Sequence, residues 1–308
     1  MNSRTSRLRD RMLDAKPTIS SERAKLFTDY VKVHEDEPTR IRLAKAFSHV
    51  LANMTLRIEP EEIIVGNMGA TPRSCQIFPE YSWEWINEEL NRFSKRRTER
   101  FEIGESDKEA LREVFEYWQG KSTSEKCKEE MPKESQNASK AGLFTIGAPG
   151  TGIGHVIVDY QRVLENGLEA IATEAVERKQ QTEDPGQTEF YEAAEIVIAG
   201  IIHYANRFAD LAESLASQEK DAARRDELSE IAAVCRRVPA KSARTFHEAV
   251  QSFWFIQLLV QTESNGHSIS TGRFDQYMYP FYQEGIDSGE LTREKAIALL
   301  EMLWIKFA

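Results

Sequence analysis

A histidine closes the glycine-rich run 147-GAPGTGIGH-155, and a second histidine with a serine beside it lies in the polar stretch 263-ESNGHSISTGRFDQY-277. Imidazole rings and hydroxyls both donate and accept, which suits them to the hydroxyl groups of a small molecule. At a helix start, His155 and free backbone N–H groups could hold such a molecule together. The second stretch places Glu263, Ser264, Asn265, His267, Ser268, Ser270, Arg273 and Asp275 directly after the most apolar segment of the chain. A loop that leaves a buried helix begins in the interior, where polar groups must pair with one another or with a ligand. His155, His267 and Ser268 are therefore the candidate binding residues. Arg273 and Asp275 suit structural hydrogen bonds, and a solvated surface loop is the competing reading of the whole stretch.

Other chemistries fit the residue types less well. A phosphate loop needs Gly-Lys-Ser/Thr, and the lysine is absent. A dinucleotide fingerprint needs GxGxxG after a strand, with an acidic residue about twenty positions on. Residues 143–146 are a thin strand candidate and Glu174 falls in range, but Gly150, Gly152 and Gly154 run as GxGxG. The plainest alternative is a loop whose glycines serve close packing. His155 and His267 could join a carboxylate around a metal, yet no HxxxH or HxH spacing supports one, so no metal is expected. No GxSxG elbow is present. Cys75, Cys127 and Cys235 have no base near them in sequence and no CxxC partner, so all three read as non-catalytic thiols of a reducing compartment.

The elements that must position these residues read as helix after helix. Pro17 ends a first helix. Residues 40–54 repeat Ile41, Ala44, Phe47 and Leu51 at helical spacing. Residues 63–65 read as a short buried strand or extended segment, and residues 66–81 as irregular. Ser82 caps a helix bearing Trp83, Ile86 and Leu90, and Leu111, Val114, Phe115 and Trp118 mark another. Residues 120–140 read as an exposed loop or a frayed helix. A long helix follows through Tyr160, Leu164 and Leu168. After a linker at 180–188, residues 189–217 show the clearest helical stripe, from Phe190 through Ala193, Val197, Ile201, Tyr204 and Phe208 to Leu215. Thr245 and Glu248 suggest a capping box. The helix they open, apolar on nearly all sides through Val260 apart from Gln257, should be central. Thr292 caps a last helix that runs into Ile305-Lys306-Phe307-Ala308 without a terminating signal.

The composition narrows the function classes. Forty basic against fifty acidic residues leave a net charge of −10, with a pI near 5.3. That balance speaks against nucleic-acid partners and against docking on anionic lipid. No apolar run is long enough to span a bilayer. A helix over residues 1–16 fits better than a transit peptide, since Asp10 and Asp14 interrupt the arginines. A cytoplasmic location is the expectation.

Three longer segments carry a family resemblance: 154-GHVIVDYQRVLENGL-168, 245-TFHEAVQSFWFIQLLVQTESNGHSISTGRFDQYMYP-280 and 294-EKAIALLEMLWIKF-307, supported by 62-EIIVGN-67 and 78-FPEYSWEW-85. With them the chain resembles, over nearly its whole length, the N-terminal portion of a glycyl radical enzyme of the pyruvate formate-lyase type. The resemblance implies a mainly α chain with few short strands. It would be the helical N-terminal part of a ten-stranded α/β barrel, with residues 1–308 forming one partial domain. It also implies anaerobic metabolism, a homodimer in full-length form, and a glycine radical installed by a separate radical S-adenosylmethionine activase, with no cofactor bound directly.

Within the family, the GHV and NGHS elements are most similar to the dehydratases acting on glycerol or propane-1,2-diol. That likeness implies that His155, His267 and Ser268 hydrogen-bond the substrate hydroxyls. Members acting on cationic amines tend to carry a carboxylate near the Ser268 position, and a sulfonate would call for an arginine clamp that residues 142–155 do not offer. A formate acetyltransferase-like or other C–C or C–S lyase of the same family is the alternative activity. A non-catalytic helical binding module is the alternative class. The family's cysteine loop, its neighbouring glutamate and its radical glycine lie downstream of the last matched helix. The chain is therefore expected to contain no catalytic residue and to be a fragment, a truncated product or half of a split enzyme, inactive alone.

Overall fold

In a computed structural model that describes residues 3–145, 147 and 150–307, helices follow one another along the chain. They are α1 (Ser3–Asp14), α2 (Glu22–Val33), α3 (Thr39–Asn53), α4 (Glu84–Glu89), α5 (Glu105–Trp118), α6 (Thr123–Glu130), α7 (Lys133–Lys140), α8 (Tyr160–Gln181), α9 (Pro185–Gln218), α10 (Ala222–Arg237), α11 (Phe246–Ser264), α12 (Phe274–Ser288) and α13 (Arg293–Lys306). Among the described residues only β1 (Thr18–Ser20) and β2 (Ser74–Gln76) form a sheet, as a parallel pair with Ile19 opposite Cys75. The mainly α expectation holds. The expectations that touch Ile146, Ala148, Pro149 and Ala308 lie outside the described residues.

The longest helix, α9, starts where Asp184 accepts from the Gln187 N–H at 2.8 Å and Pro185 occupies the first turn. Its buried stripe of Tyr204, Ala205, Phe208, Ala209 and Ala212 packs along α3, α8 and α10. Alanines at the contact let neighbouring helices approach, and the aromatic rings fill what remains. Each fully buried phenylalanine such as Phe208 or Phe255 contributes about 1.5–3 kcal/mol by leaving water. The stripe stops short of Phe190, which is 55 % exposed at the edge of a cavity.

Helix α11 is buried along nearly its whole length and contacts α8, α10, α12 and α13. Its cap is half of the expected box. Thr245 accepts from the Glu248 N–H at 3.2 Å, but the Glu248 carboxylate turns to the Arg244 N–H at 2.7 Å and to the Arg244 and Arg237 guanidiniums. Arginine charge draws the carboxylate away from the Thr245 N–H. A full capping box stands instead at Ser122 and Glu125, opening α6.

Several local readings differ from the structure. Ser82 does not cap α4, whose N-cap position is Trp83 without a side-chain hydrogen bond, and β2 lies within the stretch 66–81 read as irregular. Residues 120–140 fold as the short polar helices α6 and α7, which lack the apolar stripe that marks a helix in sequence. Residues 63–65 join no sheet. Ile64 and Val65 are fully buried, and the side chain of Gln251 pairs with Val65 in the place of a neighbouring strand.

Candidate functional site

Two loops meet at the ends of α8 and α11. The first precedes α8, whose N-terminus is capped by Asp159, accepting from the Arg162 N–H at 3.2 Å. The second begins where α11 ends at Asn265, in the left-handed conformation with φ 73°. The loops run side by side in parallel. The His155 N–H donates to the His267 carbonyl at 3.2 Å, and the Ser270 N–H donates to the Val156 carbonyl at 3.0 Å. Ile157 and Ser270 form a parallel bridge. The rings of His155 and His267 stand edge to face, 4.9 Å apart at 82°.

The glycine spacing follows from this junction. A Cβ on Gly152 would lie 2.3 Å from the Ser264 carbonyl oxygen, and one on Gly154 would lie 2.3 Å from that of His267. Alternate glycines thus let one backbone lie directly on the other. The loop does not open the helix as a phosphate cradle would, because α8 begins at Tyr160 and its N-terminus already faces the Asp159 carboxylate. Glu174, the residue placed to hold a ribose, is ion-paired with Arg162 and Arg178. Residues 143–145 form no strand. Close packing, not nucleotide binding, accounts for the motif.

His155 and Ser268 both sit at positive φ, 56° and 54°. Non-glycine residues adopt this conformation at a cost, and it concentrates where a side chain must be aimed. His155, His267 and Ser268 are all exposed on the paired loops. The structure therefore joins His155 to His267 by their backbones, with Ser268 next to His267 on the same loop. Among the described residues, no three His, Cys, Asp or Glu side chains gather at metal-binding spacing. The cysteines are unpaired, and burial pushes the thiols of Cys75 and Cys235 up, away from the reactive thiolate.

Beneath the second loop lies an arginine that sequence reasoning missed. Arg23 of α2 is 2 % exposed. Its guanidinium donates to the Thr262 carbonyl at 3.0 Å and the Glu263 carbonyl at 3.4 Å, both in the last turn of α11, where carbonyls lack helical partners. It pairs with Glu80 at 2.6 Å and lies against the rings of Phe27 and Phe78. Only an unexplained polar residue in the amphipathic pattern of α2 could have signalled it.

Glu80, Tyr81, Ile153 and Glu263 line one side of a cavity of about 960 Å³, with Phe27, Phe47 and Trp118 among its apolar walls. Glu263 keeps accessible surface toward this space. Even so, desolvation by the walls pushes its carboxyl up, with Arg23 opposing and Glu80 adding to the rise. Tyr81 is raised for the same first reason, then by Glu263 and Glu80. A second cavity of about 790 Å³, which includes Arg57, Cys75, Trp254 and Lys306, lies at the other face of α11. His155, His267 and Ser268 line neither. Their arrangement offers exposed hydrogen-bond donors and acceptors without a fixed charge among them, which suits a neutral, hydroxylated molecule.

Comparisons with known proteins match this architecture. The chain is 36 % identical to a probable dehydratase, YbiW, of Escherichia coli (strain K12), covering 94 % of this chain and 37 % of that protein. A solved structure concerned with 1,2-propanediol dehydration in Roseburia inulinivorans superposes with a TM-score of 0.96 at 42 % identity, covering 99 % of this chain and 37 % of that one. The glycerol-bound form of the B12-independent glycerol dehydratase from Clostridium butyricum superposes with a TM-score of 0.95 at 41 % identity, covering 99 % and 39 %. The chain thus spans less than two-fifths of the length of these relatives. Among the described residues, no helix is long and apolar enough to cross a membrane. The family model for pyruvate formate lyase-like proteins matches residues 1–308, and the chain belongs to that family of glycyl radical enzymes.

Proposed function

We propose that the paired loops form the hydroxyl-binding part of a glycyl radical dehydratase acting on a small polyol, glycerol or propane-1,2-diol. The observation that carries this reading is the backbone pairing of His155 with His267, which sets two imidazoles edge to face, with Ser268 next in the chain. Imidazole and hydroxyl groups accept from and donate to vicinal hydroxyls without demanding charge on the ligand. The likeness to structures concerned with propane-1,2-diol and glycerol supports the same ligand class. No residue of this chain is assigned a bond-breaking role. In this reading the radical chemistry belongs to parts of the enzyme outside these 308 residues, is started by a radical S-adenosylmethionine activase, and takes place in a homodimer.

Calorimetric titration of the chain with glycerol and propane-1,2-diol tests the reading. Saturable binding that His155→Ala and Ser268→Ala each weaken about tenfold, the worth of one charge-free hydrogen bond and its orphaned partner, is the expected result. Equal heats with the monohydric propan-1-ol, or no effect of either substitution, would sink it.

A further inference from the structure

We propose that Gln257, held by Tyr160, is a positioning residue that fixes the two loops relative to each other and so sets where His155, His267 and Ser268 stand. Gln257 is 1 % exposed and lies in the middle of α11, the one polar break in its most apolar run. A buried carboxamide has both a donor and an acceptor to satisfy. One goes to the start of α8, directly after the first loop, and the other to the second loop. The Tyr160 hydroxyl, on the first residue of α8, donates to Gln257 Oε1. Gln257 Nε2 donates to the carbonyl of Ile269, the residue after Ser268, at 3.3 Å.

The surroundings hold this bracket in one orientation. Tyr160 is 2 % exposed, and its ring packs on Phe253, one turn before Gln257, with centroids 4.7 Å apart. It also stacks on Tyr277 at 5.8 Å, which itself touches Phe253 and whose hydroxyl donates to the Thr271 carbonyl at 2.6 Å. The Thr271 carbonyl can only accept, so the Tyr277 hydroxyl is the donor to it. The Ile269 carbonyl likewise only accepts, so Gln257 Nε2 must face the second loop, which leaves Oε1 to accept from the Tyr160 hydroxyl. The direct bonds between the loops, at His155 and Ser270, lie just beyond this bracket.

The inference deepens the polyol reading and rests on it for its functional meaning, so its test is built to be read without ligand as well. Hydrogen exchange is followed at the His155 and Ser270 amides in the 308-residue chain and in Tyr160→Phe, which keeps the ring and removes one hydroxyl. The expected result is exchange at these two amides about tenfold faster, with amides in the middle of α9 unchanged. Gln257→Met, which keeps the length and removes both bonds, should do the same. Gln257→Glu regains a donor only when protonated, so the protection of these two amides, taken relative to their intrinsic exchange rates at each pH, should rise as the pH is lowered from about 8 to about 6 while that of α9 stays constant, a response that a space-filling role does not give. Glycerol affinity should follow the exchange rates in each variant. Unchanged exchange in Tyr160→Phe, or acceleration shared equally with α9, overturns the proposal. Faster loop exchange in a protein that never binds a polyol leaves the bracket standing and refutes the ligand reading instead.

Discussion

The side-chain amide of Gln251 brackets the backbone of Val65, accepting from its N–H and donating to its carbonyl, each at 2.8 Å. One turn later, Trp254 donates to the Gly66 carbonyl at 3.2 Å, which Lys306 also reaches at 3.0 Å. A buried segment with no strand beside it is thus satisfied by α11 and α13. Gln251→Leu removes both partners of Val65 and leaves two fully buried backbone groups unpaired. The expected loss is about 2–4 kcal/mol in a urea unfolding titration. A change below the error of extrapolation would show that the segment finds other partners.

Gly154→Ala tests the junction between the loops. The added methyl would sit 2.3 Å from the His267 carbonyl oxygen and 2.9 Å from its ring. Backbone cannot give way as a flexible side chain does, so the loops must separate. Loss of polyol affinity by at least about tenfold is expected, with the overall fold retained. Gly147→Ala is the matched control, because a Cβ there meets nothing within 4 Å. Equal affinities for the two variants would contradict the close-packing account.

Arg23 and Glu80 form an ion pair with side chains 1 % and 10 % exposed. Removing one partner of such a pair strands the other charge, so Arg23→Met should cost about 3–5 kcal/mol. The double variant Arg23→Met with Glu80→Gln should recover part of that loss, since neither charge then remains. Thermal melting of the three proteins decides the matter. A double variant no more stable than the single one would mean that the carbonyls of Thr262 and Glu263, and not Glu80, set the cost.

Acid stability has a definable contributor. A hydrogen bond from His247 at 3.1 Å, and after it the nearby charges of His247 and Lys295, outweigh burial and bring the Glu230 carboxyl from 4.5 down to about 2. A carboxylate depressed in the folded state stabilises it fully above its unfolded value. That stabilisation is lost as the pH falls from about 4.5 toward about 2. Glu230 is 47 % exposed and therefore screened, so its share stays below about 1 kcal/mol. The stability difference between the protein and Glu230→Gln should shrink over this interval in acid unfolding curves, and a constant offset would rule the mechanism out.

What could be read from the residues was what repeats or what concentrates. The stripe of α9 and the all-round apolar surface of α11 announce their burial, because a helix that is apolar on every side can only be central. The polar crowding after α11 marked His267 and Ser268. The GxGxG run was ambiguous in sequence, since its meaning lies in Ser264 and His267, which approach it only in three dimensions. Gln257 was visible as an interruption, but its two partners lie far apart in sequence, at the start of α8 and in the second loop. Helices α6 and α7 stayed hidden, because hydrogen bonds such as Ser122 with Glu125 define them where an apolar face does not.

The meeting of His155 with His267 has a kinetic side. Neither loop contains its own partner, so no local segment can preform the junction, and it closes only after α8 and α11 have docked. Loop-closure entropy must be met by the packing of those helices before the imidazoles face each other. Occupancy of the junction is therefore a reporter of tertiary assembly. A molecule that bridges both loops would act as a staple, raising the melting temperature of the whole chain with the logarithm of its concentration above the dissociation constant.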